Sequence, residues 1–424
     1  MNGAPLVGLA IATALQSGAV DVGPDILVSV AGVDAPIVEP HLSINPNNAE
    51  QLLAAAMVAQ AGGTYGVIAL ASNDGGRTWQ VKRFEGTQAG DPWTTFLPDG
   101  TALVAFLDGE DAALRLFRSS NGGRSWSEPP TTVADNQDHP TLLSDPRGAL
   151  YAVSAGITRS AQGRNRNAIT VARSTDGGRT FAEPTRVVAS NLSYEPHNPT
   201  LLADGTLVIP FADHRRPGSG RRLEVTRDWV VISTDGGRTF SEPRLISESC
   251  DGRGGWSSVA AFRSRIYHLC PRRDQNGIEV RHSDTLGDTW SEPLRIDRPG
   301  DVTAHTRTPA IAVNAQGIVG VAWYDARRDR GSIKGNLRCQ EVFFAASVDG
   351  GLTFLPERRV STAPTCPATP RNVETALRFP AGGDYMGLAA APDGSFRLLW
   401  ADSRTEIYRL YTTTVTVHGT EKLR

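Results

Sequence analysis

The stretch STDGGRTFSEP, Ser233 to Pro243, is spelled almost letter for letter by STDGGRTFAEP, Ser174 to Pro184. Looser copies begin at Ser72 (SNDGGRTW), Ser119 (SSNGGRSW), Ser283 (SDTLGDTW) and Ser347 (SVDGGLTF). The starts fall about fifty residues apart, in the range of propeller blades. Such a repeat constrains the chain strongly, because each unit buries its apolar face only against its neighbours.

Within one period, Asp138 to Val188, the chain reads HPTLLSDPRG, ALYAVSAG, AITVARS, the DGGRTF turn and PTRVV. The apolar runs are short and punctuated by Gly, Pro or Asp, which predicts a meander of four antiparallel strands. In the turn, Asp176 is placed to bond local backbone N–H groups, while Gly177 and Gly178 accept positive φ at little cost. Thr180 can bond backbone locally, and the aromatics Trp79, Trp126, Phe181, Phe240, Trp290 and Phe354 suit the grooves between sheets. The motif therefore reads as architecture. Asp74, Asp176, Asp235 and Asp349 could be calcium ligands or catalytic acids, but a functional residue has no reason to recur once per sheet.

The chain has 424 residues, 40% hydrophobic and 21% charged, enough for a large core. A formal net charge of -2 provides no basic field, so nucleic acid is excluded as a partner. The apolar segment Ala4 to Leu15 is shorter than the roughly 20 residues a spanning helix needs. Followed by Ser17, Gly18 and Ala19, it resembles the h-region of a signal peptide, although no Lys or Arg precedes it. The expectation is a leader over 1–19 and one domain over 20–424, secreted or periplasmic and monomeric.

The repeated S-x-D-x-G-x-T-W/F motif resembles the Asp-box, or BNR, repeat of the sialidase superfamily of β-propellers. Six copies, with Thr285 replacing the aspartate in one, cover about Glu39 to Ser361. In that family the Asp boxes lie opposite the active site. After the last box, Gly383 to Gly419 supplies three strands and no box, and DILVSVAG, Asp25 to Gly32, reads as the strand that closes this open edge. The expected fold is all-β, with seven four-stranded antiparallel blades; six blades is the alternative.

Blade topology sends the entrances of the innermost strands to one face. These supply Glu39 and His41, Asp91 and Trp93, Asp138 and His139, Glu195, His197 and Asn198, Trp256, His305 and Arg307, and Asp384 and Tyr385. The second-strand ends add Asp213 and Arg215, Asp325 and Arg327, and Asp402 and Arg404, a D-x-R pattern. Recurrence in three blades favours local Asp–Arg ties that brace loops. An imidazole or carboxylate here can merely cap backbone, and Trp93 or Trp256 can simply pack, so the functional case rests on convergence. The same map pairs Cys250 with Cys270 and Cys339 with Cys366, although four cysteines allow three connectivities. Reduced buried thiols are the other reading; disulfides would favour export. No zinc-type spacing occurs, and no metal or other cofactor is expected.

The resemblance implies a retaining exo-α-sialidase acting on a glycan. By it, Tyr385 is the nucleophile, Glu195 its activator, Asp91 or Asp138 the acid, and Arg215, Arg307 and Arg404, with Arg327 nearby, bind a sugar carboxylate. His41, His139, His197, Trp93 and Trp256 complete the binding rim. The first axial strand, EPHLSI, carries no arginine where the family has one. Two alternatives follow: a non-catalytic propeller that binds glycan or protein, and a different glycan chemistry, such as a lyase with a histidine base.

Overall fold

The structure is a computed structural model that describes residues 18–84, 88–160, 163–189, 193–215, 225–250, 257–273, 277–297, 306–329 and 337–419, with main chain only at 61, 159–160, 163–166, 214–215 and 225–226. Its strands form seven antiparallel sheets, each a four-stranded blade, with a short extra strand in two of them; the strands of blades 1 to 6 are consecutive in the chain. The innermost strands are Ile37–Asn45, Gly90–Phe96, Gln137–Ser144, Ser193–Pro196, Ser258–Phe262, Arg307–Val313 and Gly387–Ala390. Blade 7 is closed by the N-terminal segment, as the sequence predicts, but mainly by Gly18–Val22 along Arg409–Gly419. The expected strand, Asp25 to Gly32, contributes only Ile26–Leu27 to the same edge. The apolar segment Ala4 to Leu15 lies outside the described residues, and Gly18 and Ala19 already belong to the closing strand. No helix of the described residues is long and apolar enough to cross a membrane.

Each Asp box is a self-contained hydrogen-bond unit. Ser72 Oγ donates to Asp74 Oδ1 (2.8 Å) and accepts from Gly76 N (2.8 Å), while Asp74 Oδ1 accepts from Arg77 N and Thr78 N at 3.0 and 2.9 Å. Burial, the largest single effect, raises the Asp74 carboxyl, but these bonds and that from Thr78 Oγ1 together outweigh it and bring it down to about 2. In the degenerate copy the Thr285 hydroxyl substitutes, accepting from Thr289 N at 2.9 Å. The second glycine of each box has positive φ, and in the last five boxes it approaches the preceding blade closely: a Cβ on Gly123 would lie 2.2 Å from the Ala71 Cβ. The box aromatics pack partly buried against the inter-blade cores. Leu53, Leu70, Ile209 and Trp323 are completely buried within those cores, each large apolar side chain contributing about 1.5–3 kcal/mol.

Both expected disulfides form, Cys250–Cys270 and Cys339–Cys366. A helix, Pro370–Arg378, is inserted in the chain between the strands of blades 6 and 7 and packs on blades 7 and 1, with Thr369 as N-cap accepting from Asn372 N. Asn372 then donates to Ser403 O and Thr405 O at 3.0 and 2.9 Å, which pins the helix against blade 7.

A candidate active site at the propeller axis

Four innermost strands share one distortion. Their ladders slip between Val38 and His41, Gly90 and Trp93, Asp138 and Thr141, and Arg307 and Ala310. Within each slip a non-glycine residue takes positive φ: Glu39 (53°), Asp91 (49°), His139 (45°) and Thr308 (52°). Every one of them precedes a proline. A proline has no N–H to contribute to the ladder, so a bulge there costs no inter-strand donor. The left-handed backbone is itself costly, about 1–3 kcal/mol per residue, and such strain clusters at functional sites. Here it gathers acidic and basic side chains on one face of the axis.

His139 is the hub. Its Nδ1 is 2.7 Å from Glu195 Oε1 and 3.4 Å from Asp138 Oδ1, and its backbone N donates to Asp91 Oδ2 at 3.3 Å. One oxygen each from Asp91 and Asp138 and one ring nitrogen of His139 lie within 4.8 Å of one another. Burial opposes charge on the imidazole, yet Glu195 and Asp91 outweigh it and hold His139 well above its ordinary pKa, so it is an imidazolium at neutral pH. Burial, then the neighbouring carboxylates Asp138 and Asp384 acting against the His139 charge, push Asp91 up to about 6. Burial and the charges of Asp384 and Asp91 push the Glu39 carboxyl well above the ordinary carboxylate range, and its Oε1 accepts from Asp384 N at 3.4 Å.

Tyr385 closes the site from blade 7. Its ring stands edge-on to Trp93 (6.0 Å) and His139 (6.4 Å). Burial and the surrounding carboxylates, Asp91 first, hold its phenol far above the usual range, so it is neutral. Trp93 donates through Nε1 to Leu142 O at 3.2 Å, tying blade 2 to blade 3. His41 stacks on Trp93 at 3.6 Å, and its Nδ1 accepts from Thr94 N at 3.1 Å. Burial lowers His41 to about 3, leaving a neutral ring with its proton assigned to Nε2.

The structure thus brings Asp91, Asp138, His139, Glu195, Tyr385, Trp93 and His41 together. Glu195 Oε1 pairs with His139 Nδ1. Arg327 and Arg404 lie elsewhere: Arg327 Nε donates to Asp325 (2.7 Å) and Nη1 to Glu357, while Arg404 bonds Asp402 and Asp25 at 2.7 Å each. These two D-x-R elements brace their own loops. In the third, Asp213 takes Arg227 from the adjacent strand at 2.6 Å. His197 is buried, with Nδ1 3.9 Å from Asp228, which also bonds His268 at 2.8 Å. Arg307 begins the innermost strand of blade 6. Trp256 and His305, and the Arg215 side chain, lie outside the described residues. Sequence reasoning gave Glu39 and Asp384 no catalytic role; the X-Pro sequences at the innermost strands were the available signal for the strained positions.

Fold and site together define a seven-bladed β-propeller with a cluster of carboxylates around one histidine at its axis. The chain belongs to the family of the BNR repeat-like domain, whose model matches residues 45–194 and 138–300, within the sialidase superfamily. It is 28% identical over 221 residues to a xyloglucanase of Paenibacillus sp (45% of this chain, 20% of that protein). It is 26% identical over 184 residues to a sialidase of Micromonospora viridifaciens (41% of this chain, 27% of that protein). It therefore spans no more than about a quarter of either relative. Among solved structures, the α-L-arabinanase of Penicillium chrysogenum complexed with arabinobiose overlays with a TM-score of 0.50 at 13% identity, covering 93% of this chain and 98% of that one. That likeness concerns the fold.

Proposed function

We propose that the protein is an exported retaining glycoside hydrolase of uncharged glycans, with Asp91 as acid/base and Asp138 as nucleophile. The observation that carries this reading is the approach of Asp91, poised near pH 6, to within 4.8 Å of Asp138 on two strained strands. Retaining enzymes place their carboxyls about 5–5.5 Å apart, whereas inverting ones leave about 6.5–9.5 Å for a water. Asp91 donates its proton to the departing glycosidic oxygen as Asp138 attacks the anomeric carbon. The resulting glycosyl ester is then cleaved by water that gives its proton to Asp91. The His139 ring stands 3.4 Å from Asp138 Oδ1, and the buried rings of Trp93 and Tyr385 wall the site.

A sialoside, the substrate implied by the resemblance, would bring a carboxylate among Glu39, Asp91, Asp138, Glu195 and Asp384. Two of the arginines expected to receive it are spent on their own loops. The polarity of the site therefore favours an uncharged sugar, with Tyr385 a binding group and not the nucleophile. Of the two curated relatives, the name of the xyloglucanase points the same way and that of the sialidase points to the acidic sugar. The two disulfides suit an oxidising compartment.

The test is incubation of purified protein with arabinan, xyloglucan and a fluorogenic sialoside, with the product anomer followed by NMR. Turnover of a neutral glycan with retained configuration, lost in Asp91→Asn and Asp138→Asn, supports the proposal. Cleavage of the sialoside alone, an inverted product, or full activity in Asp138→Asn overturns it.

A further inference from the structure

Beside the axial site, where the helix Pro370–Arg378 lies against the loop between Asn48–Ala59 and Tyr65–Ser72, there is a cavity of about 310 Å³. This is at the lower end of the about 300–1,000 Å³ of small-molecule sites. Gln60, Tyr65, Arg371, Glu374, Arg378 and Phe379 line it. Tyr65 and Phe379 meet edge to face at 5.6 Å, and Arg378 lies over the Phe379 ring and donates to the Tyr65 hydroxyl at 3.5 Å. Arg371 is tied to Asp34 at 3.7 Å. Neither Glu374 nor Arg378 enters an ion pair with any described residue, although they stand one helical turn apart.

We propose that this cavity is a second saccharide subsite, which holds a further uncharged sugar unit of the chain cleaved at the axis. The inference rests on, and extends, the proposed glycan-cleaving function. The formal charges of its lining cancel, Asp34 and Glu374 against Arg371 and Arg378, so an ionic ligand gains little net attraction. A polyol, by contrast, finds acceptors in Glu374 and Gln60, donors in Arg378 and Gln60, and the Tyr65 ring to stack on. Continuity with the axis is built into the chain. Only Pro380–Gly382 and Gly383 separate Phe379 from Asp384, so the two sites are at most about 18 Å apart along the backbone. The positive charge of Arg378 is felt by Glu39 and Asp384.

Calorimetric titration of the Asp91→Asn protein with arabinobiose, arabinohexaose and a xyloglucan heptasaccharide tests the assignment. The longer glycans bind about tenfold or more tightly than the disaccharide. In Tyr65→Ala and Glu374→Ala that ratio falls toward one, whereas Leu377→Ala, on the exposed side of the same helix, leaves it unchanged. Tyr65→Phe, which keeps the ring, retains most of the preference. Equal affinity for short and long glycans, or a ratio unmoved by both pocket variants, overturns the subsite. If length preference is lost in the pocket variants while the unmutated protein turns over no glycan, the subsite stands and the hydrolase reading falls. Turnover without length preference has the opposite meaning, and binding of no saccharide at all overturns both.

Discussion

The Nδ1 of His139 lies 2.7 Å from Oε1 of Glu195, whose side chain is almost wholly shut from solvent. Removing one partner of a buried charged pair costs about 3–5 kcal/mol, because the other is left uncompensated. Glu195→Gln should therefore lower unfolding free energy by about that amount near pH 6. The folded pKa of His139 is raised, so its contribution is fully present below the unfolded value of about 6.5 and disappears as pH rises through the folded value. The stability gap between the two proteins should thus narrow in alkaline buffer. Urea unfolding at several pH values checks this, and a constant gap would mean that the pair is not ionic.

Asp91 makes the opposite trade. A carboxyl raised to about 6 penalises the fold above that pH, by about 3 kcal/mol for a displacement of two pH units. Asp91→Asn should be the more stable protein at pH 8, with the advantage vanishing below pH 4, and kcat should fall about 10²–10⁴-fold. On the proposed mechanism, glycan turnover by the unmutated protein should decline above pH 6 as the acid form is lost. Parallel pH–rate and denaturation profiles test both halves; equal stability of the two proteins at pH 8 contradicts the assignment.

Gly383 has φ 113°, and a Cβ there would lie 2.1 Å from the Glu39 Cγ. Gly383→Ala must move either Glu39 or the turn that leads into Tyr385. A drop of about tenfold or more in kcat/KM is expected from such displacement, with the protein still folded by circular dichroism. Unchanged kinetics would show that Tyr385 is not positioned by this contact.

Gly123→Ala probes the opposite face. Left-handed strain of about 1–2 kcal/mol adds to overpacking of about 1–3 kcal/mol against Ala71. A loss of about 2–5 kcal/mol in unfolding free energy, with kcat/KM intact at permissive temperature, is the expected outcome. Loss of activity before loss of fold would give the Asp-box face a role beyond architecture.

The Cys339–Cys366 bridge spans 27 residues, for which the chain-entropy relation predicts about 3.5 kcal/mol of stabilisation. Cys339→Ser with Cys366→Ser should lower unfolding free energy by about that much, as read by denaturant titration. No change would mean that the bridge does not form in the isolated protein.

The repeat spacing made the blades legible, because a turn that needs Asp, two glycines and an aromatic declares itself wherever it occurs. Blade topology likewise named the axial residues Asp91, Asp138, His139, Glu195 and Tyr385. It did not supply their pairings. That Glu195 serves His139, or that Arg404 reaches back to Asp25, depends on residues far apart in the chain. The D-x-R motif shows the same limit: two copies fold onto themselves, while Asp213 is met by Arg227 across the ladder. Helix Pro370–Arg378 was missed because the readable pattern between blades is set by strand alternation, and a nine-residue insertion has no period of its own.

Finally, Gly18–Val22 is zipped along Arg409–Gly419. The ring thus has a single seam, sewn from the two extremes of the described chain, and during synthesis it cannot be fastened until the last strand has left the ribosome. Six blades wait with one unclosed flank each side, and the axial constellation, fed by strands from both sides of that seam, is assembled only at the final stitch.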